Sequence, residues 1–428
     1  MIFFTKRNQM IDTYIDGILK EETLRLNSRD YYSDIELSCK KIHNGLFLPY
    51  AGPANGKTKG GIVDANGEYI DSSALYEGNG CGYSVPPEKV IKINKTAIYL
   101  GMWFPIWGHS ITDSLKKLWY LKTVQAQNLI KDGADLVYIV TMNNRFKLSQ
   151  NFVCLLKSLD INIDCLKQIT EPTQYDNIYI PDNSLFRDHY YIYYTKEFAN
   201  IRDCIVNNTP LRNKPAYDKI YFSRSKFKNG KQDFGEKRIE DVFQYLKYKI
   251  IYPEQLSFAE QLTLLQNCTH FAATEGSTSH NSMFCKPNTK VTIIRKGCYL
   301  NEYQPTINAM CNLDVTYIDT NLSLFTDKNR VWNGPFFLYV NNNLLRYAGI
   351  PLIFNNFSLK DFKQYVCLAY PQNKEHTQIT EFYSHRLIDE LNMAYFSKGA
   401  LKRIAHWFLS HCSLSFWVPI CKKVLHTN

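Results

Sequence analysis

Residues 97–121, AIYLGMWFPIWGHSITDSLKKLWYL, contain the change of pattern that decides the fold. An apolar run typical of a strand stops at Trp107 and Gly108, and a helix is predicted to begin directly after them. His109 and Asp113 fall in the first turn of that helix and share one face, because they are four residues apart. An imidazole beside a carboxylate at such a junction is a candidate acid/base pair.

Two catalytic roles are open to this pair. Asp113 can take a proton directly from a hydroxyl nucleophile, or His109 can take it while Asp113 orients the ring. Side chains at the carboxyl end of a strand face the crevice in which α/β proteins bind ligands, which favours a catalytic role. A purely structural role is the alternative, because hydrogen bonds between His and Asp also hold helix ends together.

A regular alternation of strands and helices extends outward from this junction, between about 97 and 320. Helices of ten or more residues between strands predict parallel sheets with crossover helices. The segment 208–218, NTPLRNKPAYD, is the best linker candidate, so we expect an α/β fold with two Rossmann-like halves. Strands are predicted at 97–102, 136–142, 177–181, 219–223, 249–252, 270–274 and 290–294, and helices at 109–127, 148–159, 194–207, 236–247, 257–267 and 278–285.

The length of the chain also favours two domains, because 428 residues are many for one hydrophobic core. The first domain is predicted over 1–210 and includes a β-rich entry at about 45–95, where glycines and turn signals cluster. A second, Rossmann-like domain is predicted over 211–325. Residues 326–428 are expected to form a C-terminal extension, whose tail can return to the N-terminal domain.

The chain is basic, with 50 Lys and Arg against 40 Asp and Glu and a formal net charge of +10. Such a charge favours anionic partners, for example sugar nucleotides, phospholipid headgroups or nucleic acid. Nucleic acid is the partner that we do not expect, since the sequence has no RNP-type motif, no zinc-finger spacing and no long Lys/Arg tract.

We expect a cytoplasmic location. The twelve cysteines form no CxxC pair, which is typical of free thiols in a reducing compartment. The first apolar stretch is too short for a signal peptide, and no run of about 18 apolar residues is present to span a bilayer. The tail over 396–428 mixes lysines with aromatic residues, so it can lie on an anionic surface at the inner face of the cytoplasmic membrane or pack into the body.

A second candidate segment, YFSRSKFK, starts at Tyr221 and contains the end of a predicted strand at Ser223. Arg224 follows at once, and Arg238 lies at the start of the next predicted helix. Guanidinium groups bind phosphate oxygens bidentately, so these two arginines are candidate ligands of a diphosphate. A solvated basic loop is an equally common explanation.

A third candidate segment, ATEGSTSHN, covers residues 273–281. A predicted strand ends, Gly276 allows a tight turn, and small hydroxyl residues open a helix. Free N–H groups at helix N-termini bind phosphate, although small hydroxyl residues also serve simply as N-caps. The candidate donor-binding residues of this segment are Gly276, Ser277, Thr278, Ser279, His280 and Asn281.

Several motifs of other enzyme classes are missing. The sequence has no DxD spaced like a nucleotide-sugar metal site, no P-loop, no HExxH and no GxSxG nucleophile elbow. Without a DxD motif, we expect arginines and helix dipoles, rather than a metal ion, to neutralise a diphosphate.

In their order and spacing these segments resemble the family 61 glycosyltransferases, over roughly residues 60–295. The resemblance implies a GT-B architecture, in which two Rossmann-like domains face each other across a central cleft. It is carried by the GH-x-x-x-D stretch followed by SLKKLWYL, by Ser223-Arg224, by Lys237-Arg238-Ile239-Glu240-Asp241, by Ser257-Phe258 with Glu260-Gln261, and by the Gly276 turn with Asn281.

The resemblance also implies a division of labour. The amino-terminal half would hold the acceptor and the base, Asp113 or His109, and the carboxyl-terminal half would hold the nucleotide-sugar donor. Transfer would invert the anomeric centre in one displacement, with no metal and no cofactor. Many members carry a His before the late glycine where this chain has Glu275. A carboxylate there would repel a diphosphate, so we expect Glu275 to face a sugar or ribose hydroxyl or to serve the acceptor as a third catalytic candidate.

The expected activity is therefore transfer of a sugar from a nucleotide sugar to a hydroxyl of a growing cell-surface polysaccharide, of capsule or lipopolysaccharide type. The acceptor would be a polysaccharide or a lipid-linked oligosaccharide. Two alternatives remain: a sugar-phosphate transferase that uses the same nucleotide site, and a non-catalytic carbohydrate-binding protein of GT-B-like fold.

Overall fold

The computed structural model describes residues 11–15, 18–54, 57–141, 147–227, 233–297, 299–322, 334–351 and 359–372. Within them the strands are β1 Ile11–Tyr14, β2 Cys39–Leu48, β3 Pro53–Ala54, β4 Lys57–Lys59, β5 Gly61–Val63, β6 Gly80–Cys81, β7 Ile91–Trp103, β8 Asp135–Val140, β9 Leu166–Gln168, β10 Thr173–Pro181, β11 Leu185–Asp188, β12 Tyr191–Tyr194, β13 Lys219–Phe222, β14 Asp233–Phe234, β15 Lys249–Ile251, β16 His270–Thr274, β17 Lys290–Arg295, β18 Asp314–Asp319 and β19 Phe336–Phe337.

Helices connect most of these strands. The α-helices are α1 Ile18–Asn27, α2 Trp107–Ser110, α3 Val124–Lys131, α4 Gln150–Ser158, α5 Lys196–Asn208, α6 Glu236–Tyr245, α7 Phe258–Asn267, α8 Tyr303–Met310, α9 Asn342–Ala348 and α10 Leu359–Gln372. The 3-10 helices are η1 Asp71–Ser73, η2 Leu118–Lys122, η3 Ile163–Cys165, η4 Pro253–Gln255 and η5 Ser279–Phe284.

The first large sheet has six strands in the order β5-β2-β10-β7-β8-β9. β7 pairs in parallel with β8 and β10, β8 pairs in parallel with β9, and β2 runs antiparallel to β10 and β5. The carboxyl ends of β7, β8 and β10 therefore meet at one edge, where α/β proteins bind ligands.

The second large sheet also has six strands, in the order β1-β18-β17-β16-β13-β15, and all of its pairings are parallel. Strands buried on both faces read as continuous apolar runs, as β16 (HFAAT) and β17 (KVTIIR) do. Parallel sheets joined by helices confirm the predicted α/β class.

The N-terminal strand β1 lies in the second sheet, although the sequence prediction places residues 1–210 in the first domain. It pairs with β18 from Ile11 opposite Val315 to Tyr14 opposite Ile318. A four-residue strand far from its partner carries no sequence signal for the sheet that it joins, because pairing depends on which edge is open.

The helix predicted over 109–127 is broken into α2, turns, η2 and α3. Small hydroxyl side chains compete with the helix here: Ser110 Oγ donates to the carbonyl of Ile106, and Thr112 Oγ1 donates to that of Gly108. The helix predicted over 278–285 is the 3-10 helix η5 for the most part.

The basic, aromatic tail over 396–428 lies outside the described residues. None of the described helices is long and apolar enough to cross a bilayer.

The two sheets share one continuous hydrophobic core, which includes Ile98 and Leu136 of the first and Phe222 and Phe271 of the second. Their carboxyl edges also touch near α2, where Trp107 Nε1 donates to Asn281 Oδ1 at 2.9 Å. These contacts place the segment around His109 next to the segment around Gly276.

Candidate functional site

The His109–Asp113 pair forms at the end of β7, where the chain turns into α2. His109 Nδ1 lies 2.6 Å from Asp113 Oδ2, so the two side chains share a hydrogen bond. The Asp113 side chain is 3% exposed and that of His109 is 31% exposed. The imidazole therefore stands between a buried carboxylate and the solvent-accessible side of the junction.

Asp113 also accepts a hydrogen bond from the other half of the molecule. The hydroxyl of Tyr303, at the start of α8, lies 2.8 Å from Asp113 Oδ1 and 2.9 Å from Oδ2. Burial raises the pKa of the Asp113 carboxyl, but the bonds from His109 and Tyr303 and the charge of Lys116 outweigh it and hold the pKa below its ordinary value. Asp113 is therefore an ionised acceptor with both oxygens engaged.

The ring of His109 is held on two sides by aromatic residues. Phe104 stacks on it with ring centroids 4.5 Å apart, and Tyr303 meets it edge-on at 6.1 Å. With Nδ1 bonded to the carboxylate, Nε2 is the ring nitrogen left to act on a substrate. The arrangement has the form of an oriented general base.

A small pocket opens beside Asp113, with about 300 Å³ of empty space of which part is open to solvent. The residues that line it belong to the first half, apart from Tyr303. One of them is Asn183, whose Oδ1 has no hydrogen-bond partner among the described residues. His109 does not line it. Its enclosed volume is about 10 Å³, room for roughly one water molecule and far below that of a ligand site, and its lining carries two carboxylates, Asp113 and Glu77, and two cations, Lys116 and Arg187.

Lys116 is buried in the same pocket. Its ammonium donates to the carbonyl of Leu75 and lies 5.5 Å from the ring centre of Tyr76. Burial lowers the pKa of this ammonium, while the charge of Asp113 opposes that effect. Lys116 thus supplies positive charge beside the carboxylate.

Arg224 follows β13 at the carboxyl edge of the second sheet, as predicted, but it is paired within the protein. Its Nε lies 3.3 Å from Asp233 Oδ2, and the same oxygen accepts from Lys296 Nζ at 3.0 Å. Burial and the charge of Asp233 raise the pKa of the adjacent Glu236 to about 8. A phosphate that binds Arg224 has to compete with Asp233 for the guanidinium.

Ser223 of the same motif serves the structure of α6. Its hydroxyl donates to Glu240 Oε1 at 2.6 Å, and Lys237 Nζ donates to Oε2 of the same carboxylate at 2.6 Å. Arg238 is half-buried in the first turn of α6. The motif thus fixes the end of β13 against the helix that carries Arg238.

Glu275 is fully buried. Its Oε1 accepts from the backbone N–H of Asn301 at 2.8 Å, and its Oε2 lies 3.8 Å from Nε of the buried Arg295. Burial raises the pKa of this carboxyl against the opposing charge of Arg295. This geometry gives the predicted catalytic role of Glu275 no support and is typical of a structural ion pair.

The segment after Gly276 is largely engaged in packing. Gly276 has a φ of 106°, which favours glycine, and Ser279 Oγ donates to Gln304 Oε1 at 2.7 Å. His280 is buried with Nε2 3.0 Å from Asn301 Oδ1, and burial lowers the pKa of its ring to about 4. Ser277 and Gly276 are half-buried, whereas Thr278, Ser279, His280 and Asn281 are buried.

Because Gly108 has no side chain, the segment after Gly276 packs closely against the His109 junction. A Cβ at Gly108 would lie 2.7 Å from Ser277 Oγ and 3.2 Å from His280 Nδ1. A side chain at this position would require Ser277 to shift. The structure therefore brings His109, Asp113 and the Gly276 segment together, while Arg224 and Arg238 lie farther along the carboxyl edge of the second sheet.

The sequence did not identify several residues of the site, among them Tyr303 and Lys296. Tyr303 is one of 30 tyrosines and belongs to no motif, so nothing in the sequence separates it from core tyrosines. Lys296 directly follows β17, and the general rule that ligands lie beyond the carboxyl ends of strands was the available signal.

No group of three His, Cys, Asp or Glu side chains suited to a metal ion occurs in the part of the chain that the structure describes.

Residues 107–292 match the family model described as Glycosyltransferase 61. The protein is a glycosyltransferase. The matched segment begins at α2 and contains His109, Asp113, Arg224 and Glu275, whereas Tyr303 lies beyond it. A glycosyltransferase binds a nucleotide-sugar donor and a glycan acceptor, which agrees with the basic charge of the chain. No curated protein matches the sequence of this glycosyltransferase.

Proposed function

We propose that the protein transfers a sugar from a nucleotide-sugar donor to a hydroxyl of a growing cell-surface polysaccharide, with inversion at the anomeric carbon and without a metal. The fold proposed for this reaction is GT-B, with the two sheets as the cores of Rossmann-like domains. The observation that carries the proposal is the His109–Asp113 hydrogen bond of 2.6 Å at the junction of the two halves. The Glycosyltransferase 61 match over residues 107–292 supports the same reaction class.

His109 is the proposed base and Asp113 the residue that orients it. Both Asp113 oxygens already accept hydrogen bonds, whereas Nε2 of His109 is left for the acceptor hydroxyl. Nε2 takes the hydroxyl proton while the acceptor oxygen forms a bond to the anomeric carbon. The bond from that carbon to the donor phosphate breaks, and the electron pair leaves with the nucleoside diphosphate.

The diphosphate of the donor is proposed to bind at the carboxyl edge of the second sheet. Arg224 and Arg238 supply positive charge there, and the backbone at Ser277 supplies an N–H donor, whereas the Gly276 N–H donates to Ser279 Oγ. Lys296 adds a third cation, 3.0 Å from the Asp233 carboxylate that also pairs with Arg224. Cationic side chains of this kind stabilise a departing diphosphate and are the proposed substitute for a metal ion.

The acceptor is proposed to be a polysaccharide or a lipid-linked oligosaccharide of capsule or lipopolysaccharide type. A cytoplasmic enzyme with a basic tail at the inner face of the membrane suits acceptors built on lipid carriers. A thermal-shift screen of nucleotide sugars, followed by transfer assays in the presence of a chelator, tests the donor class and metal independence together. Stabilisation by no nucleotide sugar would contradict the proposal.

Arg224→Ala is expected to weaken nucleotide binding by about 10–100-fold, the usual cost of a lost hydrogen bond to a charged group. The measurement is the dissociation constant for nucleoside diphosphates in a binding titration. Lys226→Ala is the matched control, because it removes one positive charge from the same loop, where Lys226 is exposed over the ring of Tyr252. Equal affinities of the two variants would show that Arg224 does not bind phosphate.

A further inference from the structure

Tyr303 joins the candidate base of one half to the other half. It begins α8, which lies between β17 and β18 of the second sheet, whereas Asp113 follows β7 of the first sheet. The Tyr303 hydroxyl lies within 2.9 Å of both Asp113 oxygens and 3.3 Å from the hydroxyl of Tyr76. Tyr303 is buried, so this hydrogen bond is shielded from water.

The contact depends on how the halves are packed. α8 reaches Asp113 across the same surface at which Trp107 donates to Asn281 and Gly108 packs against Ser277. If the halves separate by a few ångströms, the Tyr303 hydroxyl leaves Asp113 while the bond to His109, made within one segment, remains. The Asp113 carboxylate therefore accepts a hydrogen bond from Tyr303 only while the two halves are packed together.

Resting on the function proposed above, we infer that Tyr303 is a positioning residue that adjusts the His109–Asp113 base to the packing of the two halves. Its hydroxyl withdraws negative charge from Asp113 and fixes the plane of the carboxylate. With Tyr303 in place, the Asp113 carboxylate shares its negative charge with the hydroxyl and therefore attracts the imidazolium that forms at His109 less strongly. Without it, the carboxylate holds the imidazolium more strongly.

Other charged and titratable groups face the pair from each neighbouring element. Lys116 lies on the same segment, Tyr76 follows η1, and His280 belongs to η5. Glu302 and Arg187 form an ion pair of 2.5 Å next to Tyr76 and Tyr303. None of these groups donates a hydrogen bond to an Asp113 oxygen among the described residues, so removal of the Tyr303 hydroxyl changes one contact of the carboxylate.

The test is Tyr303→Phe in full-length protein labelled with ¹⁵N at histidine, with the His109 ring assigned by its loss in His109→Gln. The pH at which the ring signals change is expected to rise by about half a unit to one unit relative to wild type, less than the roughly one to two units of a whole hydrogen bond to a charged group, because the bond that is lost is made to Asp113 and not to the ring. Tyr317→Phe is the matched control, because it removes another buried tyrosine hydroxyl of the second sheet that bonds to Asn27 and Asn308. An unchanged His109 titration in Tyr303→Phe would overturn the inference.

A second variant keeps the test decisive if Tyr303→Phe does not fold. Trp107→Phe removes the 2.9 Å bond to Asn281 that joins the halves, so it should shift the His109 titration in the same direction. No shift in this folded variant would overturn the dependence on packing.

Activity separates the inference from the proposed function. When transfer is measured with a nucleotide sugar that the enzyme uses, Tyr303→Phe should move the acid limb of the pH profile of kcat to higher pH. If Tyr303 had a merely structural role, the substitution would lower kcat equally at every pH. A shifted His109 titration in a protein that transfers no sugar would support the coupling and refute the proposed function. If the protein transfers sugar and the His109 titration is unshifted in Tyr303→Phe, the proposed function would be supported and the coupling refuted.

Discussion

Replacing His109 with glutamine is expected to lower turnover by about 10²–10⁴-fold, the usual cost of losing a general base. Glutamine retains a hydrogen-bond donor toward Asp113 but has no nitrogen that accepts a proton at neutral pH. Donor affinity should stay near the wild-type value, because the proposed phosphate ligands lie in the other half. The measurement is the steady-state rate of sugar transfer together with the dissociation constant for the donor.

The chain supplies a matched control for this substitution. His189 also pairs with a neighbouring aspartate, with Nδ1 2.7 Å from Asp188 Oδ1, but its side chain is 83% exposed. His189→Gln should leave turnover unchanged. Asp113→Asn should also slow transfer, because the ring loses the acceptor that orients it. If His109→Gln retains full turnover while Asp113→Asn does not, Asp113 is the base and our assignment is wrong.

Gly235→Ala is expected to cost about 2–5 kcal/mol of folding free energy, through strained backbone and overpacking together. Gly235 caps α6 with a φ of 82°, and a Cβ there would lie 1.9 Å from the backbone carbonyl oxygen of Leu338. A backbone atom cannot move aside as a flexible side chain can. The measurement is the free energy of unfolding in urea, or the melting temperature where unfolding is irreversible.

Gly67→Ala separates the two contributions to this loss. Gly67 has nearly the same φ, 83°, but its added Cβ would meet nothing within 4 Å. This variant should therefore lose only about 1 kcal/mol, the cost of the left-handed backbone. Similar losses in the two variants would mean that the Leu338 contact relaxes without strain.

Most of the parallel strands were predictable from the sequence, and their pairing was not. The seven predicted strands all overlap observed ones, because β8, β16 and β17 are short apolar runs between helical patterns. β1 and β18, in contrast, pair across about 300 residues of chain. Local patterns record burial and period but not which distant edge a strand joins.

The site was predictable where its residues are close in sequence. The four-residue spacing of His109 and Asp113 predicted their contact, and they touch even though the expected helix is broken there. Tyr303 is 190 residues from Asp113, and no spacing rule reaches that far. Arg224 is only nine residues from its partner Asp233, but no spacing rule predicts that contact either.

The central claim is that an acceptor hydroxyl, deprotonated by His109, displaces the donor phosphate directly. The anomeric configuration of the first transferred sugar tests this claim most directly, by proton NMR of the product formed before any spontaneous anomerisation. A single displacement predicts a product whose configuration is opposite to that of the donor. A product that retains the donor's configuration would contradict the account, because retention requires a second displacement or a different chemistry.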